Sequence, residues 1–107
     1  MQEKEHKKYM KLALEQAEKA LRNGEFPVGC VMVEEGTVVA NAARANTNKL
    51  VTEMDHCEVT ALRNLLEKKE YQNISQVTVY TTMEPCLMCY STLLLNGIRK
   101  IVYGYED

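Results

Sequence analysis

No stretch of this chain approaches the roughly 18 uninterrupted apolar residues of a membrane-spanning helix. Its N-terminus is a charged run, Glu3 to Lys8, with none of the apolar segment that follows in a secretory signal. These absences predict a soluble, cytoplasmic protein with no membrane partner. A basic excess is also missing, since 13 Lys and Arg stand against 15 Asp and Glu, a net charge of -2. Domains that bind nucleic acid commonly carry a basic patch that neutralises phosphates. Here Lys4, Lys7, Lys8 and Lys11 are interleaved with glutamates and read as a solvated helix face, with His6 an idle histidine in the same run. No repeat, low-complexity segment or internal linker divides the chain. One domain, residues 1–107, is therefore expected, with 46% apolar residues to build a single modest core.

Against that plain background one constellation stands out: His56-Cys57-Glu58, and Pro85-Cys86-Leu87-Met88-Cys89. An imidazole and two thiols three residues apart are zinc ligands, and a carboxylate two residues beyond the histidine is left over. Structural zinc is normally closed by four protein ligands, whereas catalytic zinc keeps three and leaves the fourth position open. His56, Cys86 and Cys89 count to three. Zinc lowers the pKa of bound water to roughly 7, which makes hydroxide available near neutral pH. Glu58 is then placed to act as a general acid and base, a role worth about 10² to 10⁴ in rate.

Blander readings exist for each part. A lone C-x-x-C can be a redox pair, and His followed by Glu is usually a helix surface. A four-ligand structural zinc would need Cys57 or Cys30 as the extra thiolate. Cys57 adjoins His56 and would strain to reach the same ion, and Cys30 lies in the apolar run Val28 to Val33 as a small buried hydrophobe. Four cysteines could also make two disulfides in a secreted domain, but their grouping with His56 favours metal in a reducing compartment.

Periodicity and turn residues give the element order α-β-β-α-β-α-β. Met10, Leu14, Ala17 and Leu21 recur at helical spacing as a core stripe, ended by Asn23-Gly24. Val28 to Val33 and Thr37 to Ala42 read as a hairpin about Glu35-Gly36. Asp55 is a candidate N-cap for a helix opened by His56 and carried by Val59, Leu62, Leu65 and Leu66. Val77 to Thr82 is a strand, and Pro85 is suited to the first position of a helix bearing Cys86 and Cys89 and closed by Asn96-Gly97. Lys100 to Tyr103 is the last strand, parallel to its predecessor, so the Pro85 turn lies at the carboxyl end of a strand where open α/β sheets put their sites.

His-x-Glu followed by Pro-Cys-x-x-Cys is the signature of zinc nucleobase deaminases. On these residues the chain resembles the cytidine and deoxycytidylate deaminase superfamily, closest to its tRNA adenosine deaminase and cytosine-guanine deaminase branch. The resemblance extends to Gly24-Glu25-Phe26-Pro27-Val28-Gly29 and Thr81-Thr82-Met83-Glu84-Pro85. It implies a three-layer α-β-α fold, a mixed sheet with helices on both faces, four strands of which are visible here. It also implies a Zn2+ cofactor and hydrolytic removal of the exocyclic amine of a nucleobase or nucleoside, free or in tRNA, with Glu58 as proton shuttle. By the same resemblance Phe26 and Val28 contact the base and Asn46 hydrogen-bonds it, with Asn48 as competitor and a plain turn asparagine as the structural alternative. Two departures are visible. Cys57 stands where relatives usually carry Ala or Gly, and relatives continue for some tens of residues beyond the position of Asp107, so C-terminal elements are expected to be missing. A homodimer is implied too. The alternative is a catalytically inert deaminase-like zinc domain serving as a structural or interaction module.

Overall fold

The computed structural model describes residues 2–44, 56–67 and 74–104. Helix α1 spans Gln2–Arg22, strand β1 Gly29–Glu34, β2 Thr37–Ala43, helix α2 Cys57–Leu66, β3 Thr78–Thr81, helix α3 Leu87–Leu95 and β4 Lys100–Tyr103, with a 3-10 turn at Ile74–Gln76 ahead of β3. This is the predicted order. The strands lie in one sheet in the order β2-β1-β3-β4, with β1 antiparallel to β2 and β3, and β3 parallel to β4. Glu35 and Gly36 both take positive φ, 48° and 78°, which makes the β1–β2 connection a two-residue turn matched to strand twist.

Alternation along the strands sorts the core into two layers. Val31, Val33 and Tyr80 face α1 and pack with Tyr9 and Ala13. Cys30, Met32 and Val79 face the other way and pack with Cys57, Ala61, Leu62 and Leu65 of α2 and Leu93 of α3. The result is the three-layer α-β-α arrangement and mixed sheet that the sequence predicted.

Helix α1 sits on the sheet through a different stripe from the one predicted. Tyr9, Ala13, Ala17 and Ala20 are buried, while Leu14 and Leu21 are exposed. The reason is close approach. A Cβ on Gly29 would overlap the backbone of Ala13 and Ala17 and stand 2.6 Å from Gln16 Cβ, so small residues, not leucines, occupy the seam. Both α1 and α3 end as expected at a glycine of positive φ, Gly24 and Gly97. In each, the next two amides return to the last turn: Gly24 N to Leu21 O and Glu25 N to Ala20 O, Gly97 N to Leu94 O and Ile98 N to Leu93 O.

His6 is not idle, contrary to the sequence reading. Its Nδ1 lies 2.7 Å from the Tyr80 hydroxyl, and Tyr80 in turn stacks at an angle on Tyr9. Among the described residues no helix is long and apolar enough to cross a membrane.

Candidate active site

The carboxyl end of β3 and the first turns of α2 and α3 meet at one place. His56 is the N-cap of α2 and Cys86 the N-cap of α3, both in extended backbone conformation, and neither side chain caps its helix. Helix α2 thus starts one residue later than the sequence suggested, and α3 two residues later. Pro85 precedes the cap instead of occupying the first helical position, and Asp55 lies outside the described residues. The difference works in favour of ligation. A cap residue in β geometry directs its side chain away from the helix, and the third residue of the first turn, Cys89, comes back alongside Cys86.

The donor atoms of His56, Cys86 and Cys89 all lie within 4.8 Å of one another. Cys86 Sγ is 3.7 Å from His56 Nδ1, close to the edge of about 3.6 Å that usual Zn–N and Zn–S bonds give in a tetrahedron. The donors therefore fit zinc. Their protonation points the same way: burial above all, then the Glu58 charge, pushes the Cys89 thiol well above its ordinary value, so that a thiolate there calls for a cation beside it.

Glu58, in the first turn of α2, is only 3% exposed. Its Oε1 accepts from Cys57 Sγ at 3.4 Å and its Oε2 from Thr81 Oγ1 at 3.4 Å. Cys57 itself is fully buried, and its contact with Cys30, then burial, holds its thiol protonated far above the usual range. A cavity of about 220 Å³ is lined by His56, Cys86 and Glu58, and also by Phe26, Val28, Arg44 and Met83. That volume lies below the ~300–1,000 Å³ of sites for drug-sized ligands and suits a single small ring system.

Of the residues singled out from sequence, His56, Glu58, Cys86, Phe26 and Val28 line this cavity, and Cys89, buried, joins them through the donor cluster with His56 and Cys86. Phe26 is half exposed. Asn46 and its competitor Asn48 lie outside the described residues. Sequence reasoning missed Arg44, which is nearly buried and lines both this cavity and a polar cleft beside Asn41 and Asn64. It also missed Thr81. An arginine directly after the small apolar residues Ala42-Ala43 is the one signal that could have flagged the first; the second shows only once β3 is paired.

Fold and donor set together define an α/β domain with three clustered donors that could hold a zinc ion. Residues 3–105 match the family model described as the cytidine and deoxycytidylate deaminase zinc-binding region, and the chain belongs to that family. It is 37% identical over 100 residues to the tRNA-specific adenosine deaminase subunit tad2 of Schizosaccharomyces pombe, covering 94% of this chain and 26% of that protein. With the tRNA-specific adenosine deaminase of Aquifex aeolicus it shares 30% identity over 99 residues, 92% of this chain and 65% of that protein. The chain thus spans between about a quarter and two thirds of the length of these curated relatives. Among solved structures it superposes with a TM-score of 0.84 and 32% identity on one from a study of A-to-I editing by tRNA:A34 deaminases, covering 96% of this chain and 78% of that one. The guanine deaminase of Bacillus subtilis also gives a TM-score of 0.84, at 26% identity, with 94% of this chain and 64% of that one covered.

Proposed function

We propose that this chain is a zinc-dependent hydrolytic deaminase that converts an amino-substituted nucleobase and water into the oxo base and ammonia, with adenosine in tRNA as its substrate. The observation that carries the reading is Glu58: a carboxylate 3% exposed, facing the same cavity as His56 and Cys86, has no use in a purely structural zinc site. His56, Cys86 and Cys89 would hold the ion, which when bound lowers the pKa of a water to roughly 7 and so supplies the nucleophile. Glu58 would take up two protons in turn, one from that water and one from the hydroxyl that attack leaves on the ring carbon, and pass the first to a ring nitrogen of the base and the second to the departing amine, which leaves as ammonia while the oxo group forms. Phe26, half exposed on the cavity wall, is the ring on which the base would stack, an interaction worth about 1–3 kcal/mol, and Val28 would form the floor beneath it. Asn46 is carried in this reading as a hydrogen-bond partner of the base. The names of the relatives support the tRNA substrate.

A free base such as guanine or cytosine is the second reading. It is favoured by the net charge of -2, which offers phosphates little, and by the fold likeness to a guanine deaminase. The whole chain, 1–107, is read as one deaminase domain, a reading supported by the span of the family match. Assembly as a homodimer belongs to the same proposal and is supported by α3, whose Leu87 and Leu95 are 84% and 86% exposed beside half-exposed Tyr90 and Leu94.

The test is ammonia release by the zinc-loaded chain from a tRNA anticodon stem-loop and, in parallel, from free adenine, guanine and cytosine, with Glu58→Gln at equal zinc content as the blank. Release from the stem-loop alone is expected. Release from a free base alone replaces the substrate, and wild-type rates no higher than the blank on every substrate refute the enzyme and leave an inert zinc module.

A further inference from the structure

We propose that Cys57 and Thr81 are positioning residues that clamp the Glu58 carboxylate, one hydrogen to each of its oxygens, and so fix the plane in which it exchanges protons with the substrate. The proposal rests on the reading of Glu58 as proton carrier. Its geometry is independent of that reading: Cys57 Sγ donates to Oε1 and Thr81 Oγ1 donates to Oε2, each at 3.4 Å.

The two donors come from different layers. Cys57 is the first residue of α2, and Thr81 is the last residue of β3, paired across the sheet with Cys30 and Tyr103. Both are fully buried, so neither hydrogen has water to turn to, and the Cys30 sulfur beside Cys57 is a weak acceptor next to the charged carboxylate. A glutamate side chain has three rotatable bonds and loses about 1.5–2 kcal/mol of rotamer freedom when fixed. One donor would leave the carboxylate free to swing about a single contact; two donors on opposite oxygens fix its plane. Each carboxylate oxygen offers about two acceptor sites, so the clamp leaves one on each oxygen for the cavity side. Both clamping groups are neutral. A lysine or arginine in their place would hold the carboxylate equally well but bind it as a charge pair and resist its protonation, whereas a neutral thiol and a hydroxyl donate without that penalty.

A purely space-filling role predicts something different, because valine fills the volume of threonine without its hydroxyl. In the zinc-loaded chain, Thr81→Val should lower kcat about tenfold or more, the cost expected of a lost hydrogen bond to a charged group. KM and zinc stoichiometry should stay at their wild-type values. Thr81→Ser should restore kcat. A Thr81→Val enzyme with wild-type kcat overturns the proposal.

A second measurement does not depend on turnover. With Cys86 and Cys89 bound to zinc as thiolates, the only S–H groups among the four cysteines are those of Cys30 and Cys57. The infrared S–H band that disappears in Cys57→Ala should lie at lower frequency than a free thiol and move up in Glu58→Ala. If it does not move, the clamp is absent. A chain that deaminates nothing yet shows the shift refutes the deaminase reading and leaves the clamp on Glu58 standing.

Discussion

Replacing Gly29 with alanine drives a methyl group into the seam between α1 and β1. The new Cβ would overlap the Ala13 carbonyl and the Ala17 amide, which are backbone atoms inside a 21-residue helix and have no rotamer with which to yield. Its 2.6 Å separation from Gln16 Cβ falls about 1 Å short of ordinary carbon–carbon contact. The helix as a whole must therefore lift by roughly that amount. Tyr9 and Ala13 would then lose contact with Val31, Val33 and Tyr80, the buried cluster on that face of the sheet. Overpacking a well-filled core usually costs about 1–3 kcal/mol, and an obstacle made of helical backbone puts this case at the upper end. At about 4–8 °C per kcal/mol for a domain of this size, Tm should fall by about 10–25 °C, read by circular dichroism on the zinc-loaded chain. Gly24→Ala is the control. Nothing lies within 4 Å of a Cβ there, so its cost is only the left-handed backbone, φ 75°, about 1–2 kcal/mol. If Gly29→Ala lowers Tm by no more than Gly24→Ala, the close-packed seam is not what seats α1.

Zinc-free protein should lose stability as pH rises. Burial and the Glu58 charge hold Cys89 above its ordinary 9.0, and contact with Cys30 and burial do the same for Cys57. The folded chain thus keeps protons that the unfolded chain releases, and stability falls from about pH 9 upward. With zinc bound, Cys89 has already given up its proton and that part of the loss vanishes, so urea midpoints in chelator should drop between about pH 8 and 10 more steeply than midpoints with zinc; parallel curves would refute this. Tyr80→Phe removes the 2.7 Å contact with His6 on the α1 face, away from the cavity, and should cost about 0.5–1.5 kcal/mol with zinc affinity unchanged, a change in metal titration being the contrary result. Chelation should also speed hydrogen exchange first at the amides of 57–60 and 87–90, whose N-caps provide no side-chain acceptor, and uniform acceleration along the chain would contradict that.

Most of the site could be read from the sequence because its spacing is local. Two thiols three residues apart near a helix start come together whatever the rest of the fold does, and His56 and Glu58 are fixed relative to each other by a single turn. The element order was equally legible, since Gly24, Gly36 and Gly97 punctuate it at positions of positive φ. What sequence could not supply depends on distance across the fold. The α1 stripe was misplaced because Leu14 and Leu21 score as core by hydrophobicity, whereas the sheet beneath admits only the small face of Ala13, Ala17 and Ala20 around Gly29. Thr81 gains meaning only when strand pairing and α2 set it beside Glu58, 23 residues away. Arg44 likewise follows a strand whose amide ladder, through Arg44 N to Val28 O, carries it to the cavity wall.

The misplaced helix starts carry a physical lesson about this site. Propensity favours Ser, Thr, Asp or Asn at an N-cap, where the side chain satisfies an exposed amide, and forgoing that bond costs about 1 kcal/mol per helix. His56 and Cys86 occupy these positions and leave both first turns without a side-chain acceptor. A sequence selected for helix stability alone would not repeat that defect at two adjacent starts. The defect places a cap side chain, free of its helix, at the same point twice, and it aims two helix N-termini at the donors there. Those positive ends favour the deprotonated thiols that a metal requires, while burial opposes them at Cys89. Burial prevails there in the absence of an ion. His56, Cys86 and Cys89 would hold a zinc ion that keeps Cys89 as the thiolate and ties α2 to α3, and the stability of the two helix starts would then be a property of the metal-bound state.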